Sequence, residues 1–422
     1  MGNSFQLKGN LCFVDEKKEL HLFENKVLVV KDGKIEKIKD DFDFSLPYTI
    51  IDKSGRLILP GFSDLHAHAS QYPFHGIGSD CELLEWLGRH AFQTEAKYQY
   101  LTFAEKAYEL FTEDLRKSYT TRISLFATLH KEATLVLMKK MEEKGLAGYV
   151  GLVNMDQNCV DYLQEKDAPS ALVKTEEFLK EANPFKLVKP ILTPRFALSC
   201  SDAELKGLGE LSLKYSLPVQ SHLDENPSEI AETMKIFPKY KNYTDIYYQN
   251  HLFGNPNKTI MAHCIYNNAD EVKLLKDNNV YVAHCPECNL NVMSGIAPIR
   301  KYLDEGIHVG LGSDVAGGSS LDLTLQIRAA MQVSKAYSRI VDKSAKPLSL
   351  IDGFTLATLG GGSFFGKVGS FLPGYEADIL VIDDHASDRL IDFSLEDRLE
   401  HFLMRPDETT LVSKFISGRR VL

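Results

Sequence analysis

Over the first 59 residues apolar and polar positions alternate with a period near two, broken by turn residues, which is the pattern of short strands on a half-buried sheet. The runs fall at residues 6–14, 26–31, 34–39 and 48–52, and Asp32-Gly33 between the second and third marks a two-residue hairpin. The last 50 or so residues repeat this texture at 377–382 and 411–416, with Ser417-Gly418 as a final turn. Neither end alone holds enough strands for a stable sheet. The pattern therefore predicts one small β-sandwich domain assembled from residues 1–59 and 370–422.

Between the two ends the pattern changes to short strand-like runs that alternate with segments of helical spacing. Eight such strands are predicted, at 57–64, 121–126, 149–155, 187–192, 219–222, 259–263, 280–284 and 309–311, and segments such as 202–215 and 269–278 read as crossover helices. Eight strand-helix units over some 300 residues predict an α/β fold, a (β/α)8 TIM-type barrel over residues 60–369. An open doubly wound sheet is the competing architecture.

Composition narrows the class. The chain has 422 residues, 44% hydrophobic and 25% charged, ordinary values for a globular protein and not for a disordered, collagenous or coiled-coil one. Lys+Arg 48 against Asp+Glu 58 gives 48 − 58 = −10, a surface that repels phosphate backbones and anionic lipid, so neither nucleic acid nor membrane is expected as a partner. No apolar run approaches the roughly 18 to 20 residues of a membrane span. The N-terminal Met1-Gly2-Asn3-Ser4-Phe5-Gln6 lacks the residue a myristoylation site needs at position six and does not read as a secretory leader. Seven scattered cysteines fit reduced thiols, hence a cytoplasmic protein, better than a disulfide framework.

The candidate chemistry lies at the strand ends. His66 and His68 are expected just after the first barrel strand, His222, His263 and His284 at the ends of the fifth, sixth and seventh, and Asp314 after the eighth. In a barrel of this type that rim is where the active site is built. The spacing of two in His66-Ala67-His68 lets both imidazoles project from one face toward a single ion. Glu225 follows His222 by three, where the chain turns over the barrel mouth, and is expected to carry protons; otherwise it is a first-turn acid of the next helix. Asp314 is expected as a ligand or base, with a helix cap as the bland alternative. Of His263 and His284, His263 is the expected orienter of the attacking water.

The segment Leu59-Pro60-Gly61-Phe62-Ser63-Asp64-Leu65-His66-Ala67-His68 resembles the opening of the amidohydrolase superfamily. His68-Ala69-Ser70-Gln71-Tyr72, Thr193-Pro194-Arg195-Phe196-Ala197-Leu198-Ser199-Cys200-Ser201, the run from Gln220 through Asn226, and Gly310-Leu311-Gly312-Ser313-Asp314-Val315-Ala316-Gly317-Gly318 are similar to its purine-deaminating members, and the likeness also takes in Leu84-Glu85-Trp86-Leu87 and Ala357-Thr358-Leu359-Gly360-Gly361. The resemblance implies one metal ion per chain held by His66, His68, His222 and Asp314, with Glu225, His263 and Asp314 in catalysis and Gln71, Arg195 and Phe196 against the purine. It also implies a homodimer and the hydrolysis of guanine to xanthine and ammonia, with attack at C2 and Glu225 carrying a proton to N3 and then to the departing amine. The donor set suits Zn2+ and also accepts Fe2+. Arg195 is expected to fork onto O6 and N7 of the purine, and Gln71 to read another edge. His263-Cys264-Ile265-Tyr266 and Pro286-Glu287-Cys288-Asn289 depart from the His-Gly-Cys-Tyr and Pro-Asn-Ser-Asn of relatives.

Other motifs add little. Cys285 and Cys288 have the spacing of a zinc or redox pair without a second pair to complete a cage, and read as packing. Lys189 is placed toward the bottom of the fourth strand, away from the rim where a bridging carbamylated lysine would sit. The cytidine-deaminase signature is absent. Two rival readings are deamination of another heterocycle, adenosine-like or triazine, and a barrel without metal that serves as a structural partner.

Overall fold

The computed structural model describes residues 3–388 and 390–422, so Met1 and Gly2 of the N-terminal reading lie outside the described residues. Strand β1 (Phe5–Val14) pairs antiparallel with β2 (Leu20–Lys31), and β2 turns into β3 (Lys34–Lys39). Asp32 and Gly33 both take positive φ there, the turn geometry whose twist matches that of the flanking strands. β4 (Thr49–Pro60) runs parallel to β1.

β4 absorbs the first half of what the apolar pattern reads as one barrel strand over 57–64. It ends at Pro60, which has no N–H for a ladder, and Gly61 crosses from one sheet to the other. A Cβ on Gly61 would lie 2.2 Å from Cγ2 of Thr121, so only glycine fits the crossing. The first barrel strand is β5 (Phe62–His68), and His66 and His68 therefore lie within its C-terminal end, not after it.

The barrel continues through β6 (Thr120–Phe126), β7 (Ala147–Gly151), β8 (Val153–Asn154), β9 (Val188–Pro190), β10 (Thr193–Pro194), β11 (Val219–Leu223), β12 (Thr259–His263), β13 (Tyr281–His284) and β14 (His308–Leu311). Eight of these form a parallel sheet among the described residues, in the order β11-β12-β13-β14-β5-β6-β7-β9, and a parallel bridge from Leu192 to Val219 closes it. The expected third strand divides at Leu152, and its outer piece β8 pairs with β10 beyond the rim. Helices Asp202–Tyr215 and Ala269–Asp277 stand where helical spacing predicts them, and Ser201 and Asn268 cap their first turns. β5, β11, β12 and β13 are buried along their whole length, as expected of strands covered on both faces.

The chain returns to the terminal sheet with β15 (Ile379–Asp383), β16 (Thr410–Ile416) and β17 (Arg419–Arg420), giving the order β17-β16-β15-β4-β1-β2-β3. This sheet has its own core, including Phe5, Phe13, Phe371 and Phe415. Two buried polar contacts tie it to the barrel. Arg122 of β6 forks onto Asp378 at 2.7 and 3.0 Å, and Lys414 of β16 donates to the carbonyls of Leu115 and Ser118 at 2.9 and 3.0 Å, closing the end of helix Leu101–Lys117. No helix among the described residues is long and apolar enough to cross a membrane.

Candidate active site

Four strand ends, those of β5, β11, β12 and β14, deliver side chains to one point at the C-terminal mouth. The imidazole centroids of His66 and His68 are 4.9 Å apart, those of His66 and His222 4.7 Å, and those of His222 and His263 5.4 Å. Asp314 enters from beyond β14, with Oδ1 at 3.1 Å from Nε2 of His66 and 3.5 Å from Nε2 of His68. Asp64 holds the two sides of the cluster in register: its Oδ1 accepts the N–H of His66 at 3.1 Å and that of Ser313 at 3.0 Å, while the Asp314 N–H donates to the carbonyl of His66 at 2.8 Å. Asp314 takes positive φ, as do His263 and Asp224, so the chain bends sharply after β11, β12 and β14 at the mouth.

The neighbours decide what each group can do. His222 Nδ1 donates to the main-chain carbonyl of Arg195 at 2.6 Å, which leaves Nε2 as the free ligand atom, 3.2 Å from Nε2 of His68. His263 Nδ1 donates to Oδ1 of Asn289 at 2.8 Å, which aims its Nε2 at the cluster, 3.3 Å from Oε2 of Glu225 and 3.7 Å from Oδ2 of Asp314. Burial, then the adjacent imidazoles, pushes His68 and His222 well below the usual histidine range, so both are neutral, as metal ligation requires. Burial alone would raise Asp314, but His66, then His263 and His68, hold it well below the usual carboxylate range. His66 Nε2 faces Asp314 off the axis of a hydrogen bond. Both ring nitrogens of His66 and Nε2 of His263 are thus buried without a hydrogen-bond partner. Buried polar atoms left open in this way, beside neutral imidazoles and an ionised carboxylate, fit a divalent cation.

The bland readings of the two key carboxylates do not survive. Helix Pro227–Ile236 is capped by Asn226 and by Glu229 three residues on, and Glu225 lies outside it with its side chain in the cavity. Its Oε1 accepts from the Ser294 hydroxyl at 3.0 Å, and burial, then the charge of Asp314, pushes its carboxyl up to about 8. The helix after β14 is Leu323–Ile340, capped by Asp322, so Asp314 caps nothing.

A small cavity opens onto this cluster. His68, His222, Glu225, His263 and Asp314 form its floor, Gln71, Arg195 and Phe196 its polar and aromatic side, and Leu83, Trp86 and Leu87 an apolar cover. Arg195 does not stand free. Its guanidinium forks onto Glu95 at 2.5 and 3.0 Å, and the same carboxylate accepts from the Gln71 amide at 2.9 Å.

His284 departs from the cluster, while Lys189 and the cysteine pair lie as their sequence positions lead one to expect. His284 points away from the site into the helix layer, against a small cavity shared with Ala330 and Tyr337, and burial pushes its imidazole down to about 3. Lys189 donates to the carbonyl of Phe185, away from the mouth. Cys264, Cys285 and Cys288 are free buried thiols, and Cys288 alone of them lines the cavity. Glu287 holds the loop after Asp314 by accepting from Ser319 and Gln326. Sequence reasoning missed Glu95 and Ser294, which carry no local signal, and the role of Asn289.

A family model described as the amidohydrolase family matches residues 57–421. The chain belongs to the amidohydrolase family. Members of this family are metal-dependent. Guanine deaminase of Homo sapiens is 36% identical over 378 residues, covering 86% of this chain and 82% of that protein, and guanine deaminase of Escherichia coli K12 is 30% identical over 417 residues, covering 95% and 92%. The crystal structure of guanine deaminase from C. acetobutylicum with bound guanine in the active site superposes with a TM-score of 0.96 at 43% identity, covering 99% of this chain and all of that one.

Proposed function

We propose that the chain hydrolyses guanine to xanthine and ammonia, in the cavity above His66, His68, His222 and Asp314. The observation that carries this reading is the meeting of four distant strand ends at one cavity with a protonatable carboxyl, Glu225, in its lining. The relatives named guanine deaminase support the substrate. His66, His68, His222 and Asp314 would hold one cation, and three imidazoles with a carboxylate suit Zn2+. Such a cation, when bound, supplies the Lewis acidity that makes water a nucleophile near neutral pH.

The chain's own residues supply the rest. Nε2 of His263, oriented by Asn289, and Oδ2 of Asp314 hold the attacking water. Glu225 takes a proton from that water and delivers it to N3 of the ring as the C2–O bond forms. It then takes the proton of the new C2 hydroxyl and passes it to the exocyclic amine. The C2–N bond breaks, ammonia leaves, and Glu225 returns to its starting state. Phe196 and the apolar cover exclude bulk water, and Arg195 and Gln71 hold the purine.

The test is the loss of guanine absorbance with growth of xanthine, measured beside metal analysis. Glu225→Gln should lower turnover by about 10²- to 10⁴-fold, the range for a positioned acid–base group, with metal content unchanged. A fully active variant would remove Glu225 from the mechanism, and a wild type that binds metal but leaves guanine intact would overturn the substrate.

A further inference from the structure

Glu95 does not line the cavity, yet it is 3% exposed and bonds two residues that do. It ends the short helix Phe92–Glu95, whose Phe92 ring lies 5.1 Å from the guanidinium carbon of Arg195. One helical turn therefore holds Arg195 by its face through Phe92 and by its edge through Glu95. Each terminal nitrogen of the guanidinium gives one hydrogen to this carboxylate.

A carboxylate accepts only, so the Gln71 amide must turn its NH2 toward Glu95, at 2.9 Å. Oε1 of Gln71 then points the other way, 3.4 Å from the Ala316 N–H and with acceptor capacity to spare. The cavity thus meets a fixed pair: an acceptor at Gln71 and the remaining donors of Arg195.

We infer that Glu95 is a positioning residue for substrate choice, which sets the donor and acceptor polarity of the edge that reads the purine. The inference rests on the guanine reading above. Guanine offers an N1–H donor beside an O6 acceptor, complementary to that pair. 2,6-Diaminopurine carries the same reacting amine on C2 but reverses the edge, with a bare N1 and a 6-amino donor. Both contacts then fail, and each leaves a buried polar group unpaired. With glutamine at position 95 the neighbouring amide can donate as well as accept, so Gln71 is free to turn over and the polarity is lost.

The experiment measures kcat and KM for guanine and 2,6-diaminopurine in metal-loaded wild type, Glu95→Gln and Glu95→Asp, with thermal midpoint and metal content as controls. Glu95→Gln should raise the KM for guanine by about 10- to 100-fold, with a smaller fall in kcat, and narrow the preference for guanine by at least about tenfold; Glu95→Asp, which keeps an acceptor-only group, should recover part of both. Unchanged KM and preference, or a loss in kcat alone with preference intact, overturns the inference. A wild type inactive on guanine overturns the functional reading itself. If Glu95→Gln does not fold, competition in the wild type decides: hypoxanthine should inhibit at least about tenfold more tightly than adenine, and equal inhibition refutes a fixed polarity.

Discussion

Glu225 and Glu229 stand four residues apart, are both fully buried, and do different work. Glu229 accepts the N–H groups of Glu225 and Asn226 and the hydroxyl of Tyr243, and so ends the loop that aims Glu225 into the cavity. Burial raises its carboxyl to about 7. Glu229→Gln should cost about 1 to 2 kcal/mol of stability by weakening the cap, visible as a lower thermal midpoint. Its turnover should fall less than that of Glu225→Gln, because the proton carrier remains. The Asn226-Pro227-Ser228-Glu229 cap is readable in the sequence, since an Asn with an acid three residues later and proline between them is a helix start. That signal already separates the capping acid from the chemical one. Glu95 offers nothing comparable: it sits 100 residues from Arg195, in a segment whose composition is that of any amphipathic turn, and only the closed barrel brings them together.

At the scale of elements, strand count and helix positions were legible because short, mostly buried strands alternate with segments of helical spacing. The same burial hid the boundary between β4 and β5. Leu57, Ile58 and Leu59 are as buried in the terminal sheet as Phe62 and Leu65 are in the barrel, and only Pro60-Gly61 marks the passage. Gly61→Ala tests that junction. Its Cβ would displace Thr121, whose hydroxyl donates to the carbonyl of Phe62, and the expected loss is about 1 to 3 kcal/mol, read from denaturant unfolding. The strand carrying His66 and His68 starts immediately beyond, so a fall in metal affinity should accompany the loss of stability.

At the scale of the whole molecule, the terminal sheet is locked to the barrel through Lys414, whose ammonium burial pushes down to about 7 from 10.5, against the pull of Asp378. Below pH 7 the folded and unfolded chains both hold this proton. Between about 7 and 10.5 the unfolded chain binds it and the folded one does not, so this group raises unfolding free energy as pH climbs through that window. The stability of wild type relative to Lys414→Met should therefore grow from pH 7 to 10; a difference that stays flat would mean the buried amine keeps its charge. The proposed cation would act on the same whole. Dialysis against a chelator should abolish turnover and lower the thermal midpoint, because the ion binds only the closed barrel, and Zn2+ should restore both.

Arg195 joins two tasks in a single residue. Its side chain lines the cavity, and its main-chain carbonyl fixes the ring of His222 at 2.6 Å. A lineage drifting toward a different heterocycle could not reshape the loop after β10 without tilting the His222 imidazole, which the proposed cation site uses. Divergence is then channelled to the opposite wall, where Leu83, Trp86 and Val292 touch no ligand, and variants gathered under selection for new substrates should cluster there.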